Sequence, residues 1–387
     1  MTNPRLEQFY PCCADMEARA RRRMPRFAHD YLVGGLGRED CVHRNVAELR
    51  DVLLLPRYLA DAARPDLRAT LFGQAFDAPF GAAPLGLAGL LWPGCELPIA
   101  AAAREHNVLH VLSTFSNRAL EAVRPVCGDV GWFQLYPPSD PDMEQDLVAR
   151  AWRAGYRTLV VTVDIPVAAR RERDIRNGLS IPLSFGLATL LQVAARPRWA
   201  MRLARHGIPD FENLSPYYPA GGSVRRAAEF VARVMQGHLT PQRIRAIRAA
   251  WPGQLVIKGV LDPDEALAYV ALGADALVIS NHGGRQLDAA PSAVSVLPEM
   301  RRRLGREAVL LADGGVRSGL DIARLIALGA DYVLVGRPFV IAAAALGDAG
   351  PGHLVQLLKA ELGVTLAQLG CSSVAELPRC IRSPGRS

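Results

Sequence analysis

Eight short apolar stretches, each ending in a polar or glycine-rich tip, constrain the fold more than any other feature of this chain. They lie at residues 81–86, 108–114, 132–136, 159–164, 255–259, 276–281, 309–315 and 333–337. Each is long enough for a buried β-strand and too short for a helix, and stretches of helical pattern separate most of them. This eightfold alternation of strand and helix predicts an α/β fold, a closed parallel (β/α)8 TIM barrel.

The spacing of the tips predicts what is added to the barrel. Successive tips from Pro84 to Arg337 are 23 to 31 residues apart, except that 94 residues separate Asp164 from Lys258. We therefore expect a long excursion, residues 177–240, after the fourth strand. Residues 1–78 are predicted to form an N-terminal helical cap with an irregular segment, with helices at 14–24 and 26–33 and extended or irregular chain at 53–71. Residues 79–387 form the barrel.

Composition and charge argue against several classes of protein. The seven cysteines are an odd number without a Cys-x-x-Cys pair, which argues against a disulfide framework or a metal site and favours the reducing cytoplasm. The net charge is +7, but the arginines are dispersed without a basic and aromatic stripe, so we expect no nucleic-acid partner. The first residues lack the apolar core of a secretory signal, and the longest purely apolar run, 339–346, is too short to cross a bilayer.

The sixth predicted strand is followed at once by a histidine and an arginine. Residues 277–279 are apolar, and Ser280, His282 and Arg285 come directly after them. Histidine exchanges a proton at little cost near neutral pH, and arginine binds a carboxylate with two hydrogen bonds. The motif therefore indicates a base beside an anion clamp. The competing interpretation is a strand end whose histidine caps a turn while the arginine pairs on the surface.

The seventh and eighth predicted strands end in residues suited to phosphate. In barrels of this type the loops after these two strands commonly hold a phosphate, where helix N-termini and arginines converge. Ordinary turn glycines are the alternative. No dinucleotide-binding, P-loop or nucleophile-elbow motif occurs, so the phosphate belongs to something else. The residues in question are Asp313, Gly314, Gly315 and Arg317 after the seventh strand, and Gly336 and Arg337 after the eighth.

Lys258 ends the fifth predicted strand and is one of only two lysines in the chain. Because arginine supplies nearly all the other cations, this position is expected to require an ammonium specifically. It could stabilise negative charge that develops on a cofactor ring, or form a Schiff base. A lysine that reaches out to solvent is the third interpretation.

These tips resemble those of the FMN-dependent 2-hydroxy acid oxidases and dehydrogenases. The resemblance covers nearly the whole chain and implies the oxidation of an (S)-2-hydroxy acid to the 2-oxo acid, with FMN as cofactor. The matching segments are Tyr31, Gln-Leu-Tyr at 134–136, Thr-Val-Asp at 162–164, Lys-Gly at 258–259, Ser-Asn-His-Gly-Gly-Arg-Gln-Leu-Asp at 280–288 and Asp-Gly-Gly at 313–315.

The resemblance also implies roles for individual residues. His282 would be the base, and Asp164 would pair with the resulting imidazolium. Arg171 and Arg285 would clamp the substrate carboxylate, with Tyr31 donating a further hydrogen bond. Tyr136 would contact the substrate hydroxyl and position it. Lys258 would lie at the flavin ring edge. The remaining cofactor-binding residues would be Pro84, Leu85, Gly86, Ser113, Gln134, Thr162 and Ser280 around the ring, and Asp313, Gly314, Gly315, Arg317, Gly336 and Arg337 along the ribityl chain and phosphate.

The substrate and the electron acceptor are narrowed further by resemblance. Segments 89–93 and 198–207 are similar to the mandelate-oxidising dehydrogenases of the family, so a mandelate-like substrate is expected first and lactate next. Dehydrogenases of the family often have glycine at the position of Gly86, so a slow reaction with oxygen is expected. The electrons are expected to pass to a quinone or another acceptor. Three alternatives stay open: an oxidase that uses oxygen, a phosphate-binding barrel with isomerase or aldolase chemistry through Lys258, and a non-catalytic binding module.

The excursion has a composition that suits a membrane surface. Residues 181–193 carry no charge, and arginines with Trp199 follow them. A lid over the active site or a subunit contact is the alternative. The resemblance implies peripheral attachment to the inner, anionic face of the cytoplasmic membrane, and a homotetramer.

Overall fold

A closed barrel of eight parallel strands forms the centre of the protein. The computed structural model describes residues 4–60, 63–179, 186–218, 229–231, 233–234 and 239–381. Around the barrel the strand order is β10-β3-β4-β5-β6-β7-β8-β9. The strands are β3 Phe80–Ala82, β4 Leu109–Ser113, β5 Gly131–Leu135, β6 Thr158–Thr162, β7 Gln254–Val260, β8 Ala276–Ile279, β9 Val309–Asp313 and β10 Tyr332–Val335. The predicted (β/α)8 barrel is confirmed.

Burial explains why these strands read as continuous apolar runs. Every residue of β4, β5 and β6 is buried, because the barrel interior covers one face and the helices cover the other. A strand that is covered on both faces needs apolar residues at successive positions, and polar residues return only where the strand ends.

Helices surround the barrel, and four of them, α1 to α4, precede its first strand in the chain. They are α1 Pro4–Phe9, α2 Cys13–Arg23, α3 Arg26–Val33, α4 Asp40–Asp51, α5 Ala88–Leu91, α6 Glu96–Glu105, α7 Leu120–Cys127, α8 Pro141–Arg153, α9 Glu172–Arg176, α10 Leu187–Ala194, α11 Pro197–His206, α12 Pro241–Ala250, α13 Pro263–Ala271, α14 Ala293–Leu304, α15 Gly319–Ala327, α16 Arg337–Leu346 and α17 Gly350–Leu369.

The region before the barrel is more regular than the sequence suggests. The two predicted helices are present as α2 and α3, but α1 and α4 were not expected. Part of the segment predicted to be extended or irregular forms a small antiparallel hairpin, β1 Ala69–Leu71 and β2 Gln74–Phe76. The helix α4 contacts the loop after β8, since Asn45 and Asn281 exchange hydrogen bonds of 3.0 and 2.7 Å through their amides.

The predicted excursion, residues 177–240, leaves the barrel after β6 and contains α10 and α11, and the short helix α9 precedes it. Three side chains fasten α11 to neighbouring backbone: Trp199 Nε1 donates to Leu91 O at 3.0 Å, Arg202 Nε to Pro93 O at 2.7 Å and Arg196 Nε to Met24 O at 3.0 Å. Residues 180–185, at the start of the uncharged stretch, lie outside the described residues. Among the described helices, none has the length and apolar character needed to cross a membrane.

Candidate active site

A histidine held between a carboxylate and a phenol lies at the carboxyl ends of the barrel strands. Nδ1 of His282, just after β8, lies 3.0 and 3.2 Å from the two carboxylate oxygens of Asp164, just after β6. Its Nε2 lies 3.4 Å from the hydroxyl of Tyr136, which follows β5. The predicted base, its carboxylate partner and the predicted substrate-binding tyrosine are therefore adjacent in space.

The surroundings of Asp164 keep it ionised. Burial by itself raises the pKa of this carboxyl, but the neighbouring His282 and Lys258 more than offset burial and leave the pKa below its ordinary value. An ionised carboxylate can only accept a hydrogen bond, so Nδ1 of His282 is the donor towards Asp164, and in the neutral imidazole Nε2 keeps its lone pair. This tautomer is the one that a general base needs.

Gly259 provides the space for this carboxylate. A Cβ at this position would lie 2.6 Å from the Cβ and Cγ of Asp164, and its φ of +104° is one that side-chain-bearing residues rarely adopt. In the Lys-Gly pair at 258–259, the lysine thus supplies a cation and the glycine lets the backbone pass close to Asp164.

Lys258 connects three neighbouring strands. Its Nζ lies 2.9 Å from Asp313 Oδ2 at the end of β9 and 2.9 Å from the Ser280 hydroxyl after β8. Burial disfavours its charge, but Asp313 and Asp164 more than offset burial and raise the pKa of Lys258 above its ordinary value. The ammonium is therefore held protonated within the barrel mouth.

Two arginines flank the ring of Tyr31, which comes from α3 outside the barrel. Arg171 Cζ lies 4.8 Å and Arg285 Cζ 4.7 Å from the ring centroid. Arg285 Nη1 also donates to the carbonyl oxygens of Tyr31 and Gly34, and Arg171 pairs with Asp174 at 3.1 Å. The structure thus brings together the residues predicted to clamp a carboxylate.

Three buried residues predicted to line the cofactor ring form one chain of hydrogen bonds. The Ser113 hydroxyl donates to Gln134 Oε1 at 2.9 Å, and Gln134 Nε2 donates to the Thr162 hydroxyl at 2.9 Å. Three further residues predicted to line the ring, Pro84, Leu85 and Gly86, follow β3 and are half-buried. Neighbouring side chains therefore fix the orientation of the central amide.

The ends of β9 and β10 form a positively charged cradle. Arg337 donates to the carbonyl oxygens of Leu32, Gly34 and Gly283, and burial together with repulsion from Arg317 lowers its pKa to about 10. Helix α15, which follows β9, is capped at its N-terminus, since the Ser318 hydroxyl accepts a hydrogen bond from the amide of Asp321. Gly314 and Gly315 have φ of +102° and +81°, and Gly336 precedes Arg337 at the start of α16.

These observations fit FMN. Two arginines that repel each other beside a helix N-terminus suit a phosphate. Asp313 Oδ1 is buried without a hydrogen-bond partner among the described residues, as an acceptor for a ribityl hydroxyl would be.

The sequence did not assign a role to Phe115, which stacks on Tyr136 with ring centroids 4.8 Å apart. Its position directly after the β4 tip residue Thr114 was the signal that could have identified it.

The family to which this chain belongs is that of the FMN-dependent dehydrogenases, which match residues 20–383. The L-lactate dehydrogenase of Caulobacter vibrioides is 40% identical over 368 residues, covering 95% of this chain and 96% of that protein. The crystal structure of the monotopic membrane protein (S)-mandelate dehydrogenase superposes with a TM-score of 0.91 at 36% identity, over 96% of this chain and 98% of that one. A crystal structure of mandelate oxidase superposes with a TM-score of 0.81 at 34% identity, over 96% of this chain and 97% of that one.

Proposed function

We propose that the protein oxidises an (S)-2-hydroxy acid to the 2-oxo acid and that the residues described above carry the reaction. The observation that carries this proposal is the placement of His282 between Asp164 and Tyr136, with Arg171 and Arg285 both within 5 Å of the centre of the Tyr31 ring. This arrangement places a proton acceptor close to two cations. A 2-hydroxy acid carries the two complementary groups. Its hydroxyl-bearing carbon centre can give up a proton to the base, and its carboxylate can pair with the two cations.

His282 removes a proton from the substrate through Nε2. The charge that this creates on the imidazole is stabilised by Asp164, whose carboxylate is already ionised and 3.0 Å from Nδ1. Tyr136 contributes as a hydrogen-bond donor, because burial, reinforced by Asp164, raises the pKa of its hydroxyl well above the ordinary value. It therefore keeps its proton and orients the substrate hydroxyl.

Arg171 and Arg285 bind the substrate carboxylate and fix the reacting carbon relative to His282. Such positioning contributes to the rate because misplacement by about 1 Å can cost about 100-fold. Bound FMN supplies the acceptor for the two electrons. Lys258 would place its positive charge beside the bound cofactor and so would stabilise negative charge on the reduced ring.

The protonated state of Lys258 disfavours the alternative of Schiff-base chemistry. A Schiff base needs a neutral amine as nucleophile, whereas Asp313 and Asp164 hold this ammonium in its charged form. Family membership removes the remaining basis for an isomerase or aldolase.

We propose a mandelate-like substrate first and lactate second. Support for an aryl substrate comes from the fold similarity to (S)-mandelate dehydrogenase and from the aromatic wall of Phe115, Tyr136 and Phe211, whose rings pack in succession. Gly86 faces this wall and adds no side chain of its own. Support for lactate comes from the 40% identity to an L-lactate dehydrogenase.

We propose that the electrons pass to a quinone or another acceptor other than oxygen. We also propose that the protein attaches peripherally to the inner face of the cytoplasmic membrane. Helix α10 has no buried residue, and its Leu187, Leu190 and Leu191 are exposed, as is Met201 of α11. Exposed apolar side chains grouped on one helix, as on α10, are typical of an interaction site. We also propose a homotetramer, for which light scattering should give four times the mass of the chain.

The substrate proposal is tested with the purified yellow holoenzyme and a panel of 2-hydroxy acids, assayed with a dye acceptor and with oxygen in parallel. Mandelate should give the highest kcat/KM, and dye turnover should greatly exceed oxygen turnover. Higher kcat/KM with lactate would reverse the order of substrates. Oxygen turnover equal to dye turnover would make the enzyme an oxidase.

A further inference from the structure

Two arginines lie over one buried indole on the side of the barrel where the excursion docks, and two further arginines act on one of them. Arg23 Cζ, at the end of α2, lies 5.0 Å from the ring centroid of Trp92, and Arg202 Cζ, on α11, lies 5.7 Å from the same centroid. Arg19 and Arg198 act electrostatically on Arg23 from α2 and α11. We refer to Arg19, Arg23, Trp92, Arg198 and Arg202 as the Arg-Trp cluster.

Two donors of this cluster are buried without a hydrogen-bond partner among the described residues: Nε of Arg23 and Nε1 of Trp92. Trp92 is only 1% exposed. Other donors are used, because Arg23 Nη1 donates to Ala345 O and Arg202 donates to Pro93 O and pairs with Asp348 at 2.9 Å. Since both unused groups are donors, the ligand that satisfies them must be an acceptor.

Arg23 itself forms no ion pair with a carboxylate within the described part of the chain, whereas the neighbouring Arg202 pairs with Asp348. Burial, followed by repulsion from Arg198, Arg19 and Arg202, lowers the pKa of Arg23 to about 10, and no carboxylate is among the groups that act on it. Arg337 in the FMN phosphate cradle also has a pKa of about 10, lowered by burial and by Arg317, although Glu39, Asp313 and Glu17 act on it in the opposite direction. Both sites therefore have the electrostatics of an anion site.

The two sites are separate. Arg337 begins α16, whereas Arg23 binds the carbonyl of Ala345 near the other end of that helix. Eight residues of α-helix at 1.5 Å per residue place these ends about 12 Å apart. The Arg-Trp cluster thus does not belong to the cofactor site.

We propose that the Arg-Trp cluster binds the phosphate of an anionic phospholipid headgroup. The cluster includes two residues of α11, the helix that also exposes Met201, and the exposed leucines of α10 directly precede it in the chain. A headgroup phosphate at the cluster would place acyl chains beside this apolar surface. The inference rests on the membrane attachment proposed above and adds a specific lipid chemistry to it.

The test uses the holoenzyme in vesicle sedimentation at low salt. Vesicles are made of phosphatidylcholine alone, phosphatidylcholine with phosphatidylglycerol, and phosphatidylcholine with the same mole fraction of oleate, which is anionic but has no phosphate. The variants are Arg198→Gln and Trp92→Phe, with Arg205→Gln as the matched control, because Arg198 and Arg205 are both exposed arginines of α11 and only Arg198 acts on Arg23.

Wild-type protein should bind phosphatidylglycerol vesicles about fivefold more tightly than oleate vesicles, the equivalent of ~1 kcal/mol for one charged contact at a membrane surface. This ratio should fall to one in Arg198→Gln and Trp92→Phe and stay unchanged in Arg205→Gln. Equal binding to the two anionic vesicles, or equal ratios in all variants, would overturn the headgroup site while leaving membrane attachment intact. Failure to sediment with any vesicle would instead contradict the attachment on which the inference rests.

A second arm separates the headgroup from free phosphate. If inorganic phosphate raises the unfolding temperature of wild-type holoenzyme but not of Arg198→Gln, and no vesicle preference exists, the cluster binds a soluble phosphate and the lipid assignment is wrong. Vesicle preference that persists in the presence of inorganic phosphate supports the lipid.

Discussion

His282 has a backbone φ of +58°, a left-handed conformation that few side-chain-bearing residues adopt. The Ser280 hydroxyl accepts its amide at 3.0 Å, and Asp164 fixes its ring. The cost of such a conformation, about 1–3 kcal/mol, is typical of residues that a site holds in one orientation. The orientation of the His282 imidazole therefore depends on contacts with Ser280 and Asp164.

Replacement of Asp164 by Asn should lower kcat/KM by about 100- to 10,000-fold, the range over which general acid–base catalysis contributes. The amide cannot stabilise the imidazolium and does not fix the Nδ1–H tautomer. Stopped-flow measurement of cofactor reduction checks this directly. A loss of less than about threefold, with FMN content unchanged, would remove Asp164 from the reaction.

The same substitution should change how stability depends on acid pH. The pKa of Asp164 is below its ordinary value in the folded protein, so its contribution to stability is complete above the unfolded-state pKa of about 3.9 and is lost as pH falls through the folded-state pKa. Urea unfolding between neutral and acid pH should therefore show a smaller acid loss in Asp164→Asn than in wild type. A loss of the same size in both would contradict the assigned direction.

Gly86→Ala should lower kcat/KM for mandelate by about tenfold and leave FMN bound. The new Cβ would lie 3.1 Å from Phe115 Cβ, so Phe115 must move by a few tenths of an ångström against Tyr136. Gly363→Ala, where nothing lies within 4 Å of the added atom, is the matched control. An unchanged kcat/KM in Gly86→Ala would show that the aromatic wall does not touch the substrate.

Residue types at strand ends could be predicted from the sequence, whereas pairings between distant segments could not. The motif around His282 identified the base, but nothing in the sequence indicates that Asn281 exchanges hydrogen bonds with Asn45, 236 positions away. Likewise, the contact between Arg285 and the Tyr31 carbonyl joins residues 254 positions apart. Such pairs depend on how the first helices fold back onto the barrel mouth.

At the scale of elements, predictability followed the apolar pattern. The barrel strands are buried on both faces and were all identified. Helix α4 was missed because its buried stripe is Cys41, Asn45 and Leu49, in which a polar residue interrupts the apolar repeat. The β1–β2 hairpin was missed because its strands have only three residues each, too few to show alternation.

The exposed helix α10 carries a prediction of its own. Leu190→Ser combined with Leu191→Ser should reduce sedimentation with membranes at least tenfold while dye-linked activity survives, because two exposed leucines leave the apolar surface. Leu267→Ser on α13 is the control, an exposed leucine on a barrel helix outside the excursion. If the double variant sediments like wild type, the α10 surface is a lid or a subunit contact.

At the scale of the whole molecule, the site is assembled from the N-terminal region, the excursion and several barrel strands at once. FMN should therefore stabilise the entire fold, by about 2.7 kcal/mol when its concentration is 100 times its Kd. Riboflavin is the control, because it lacks the phosphate that Arg317 and Arg337 are placed to bind. Unfolding scans of apoprotein with each compound should show the larger shift with FMN, and equal shifts would remove the phosphate from the arginine cradle.

The most direct test of the central claim is the anaerobic reduction of bound FMN by mandelate in wild type and in His282→Asn. Asparagine tolerates the left-handed backbone at this position, so the variant should fold and remain yellow. Wild type should lose its yellow colour on mixing, and the variant should lose it at least 100-fold more slowly. Bleaching of His282→Asn at the wild-type rate would contradict the assignment of His282 as the base.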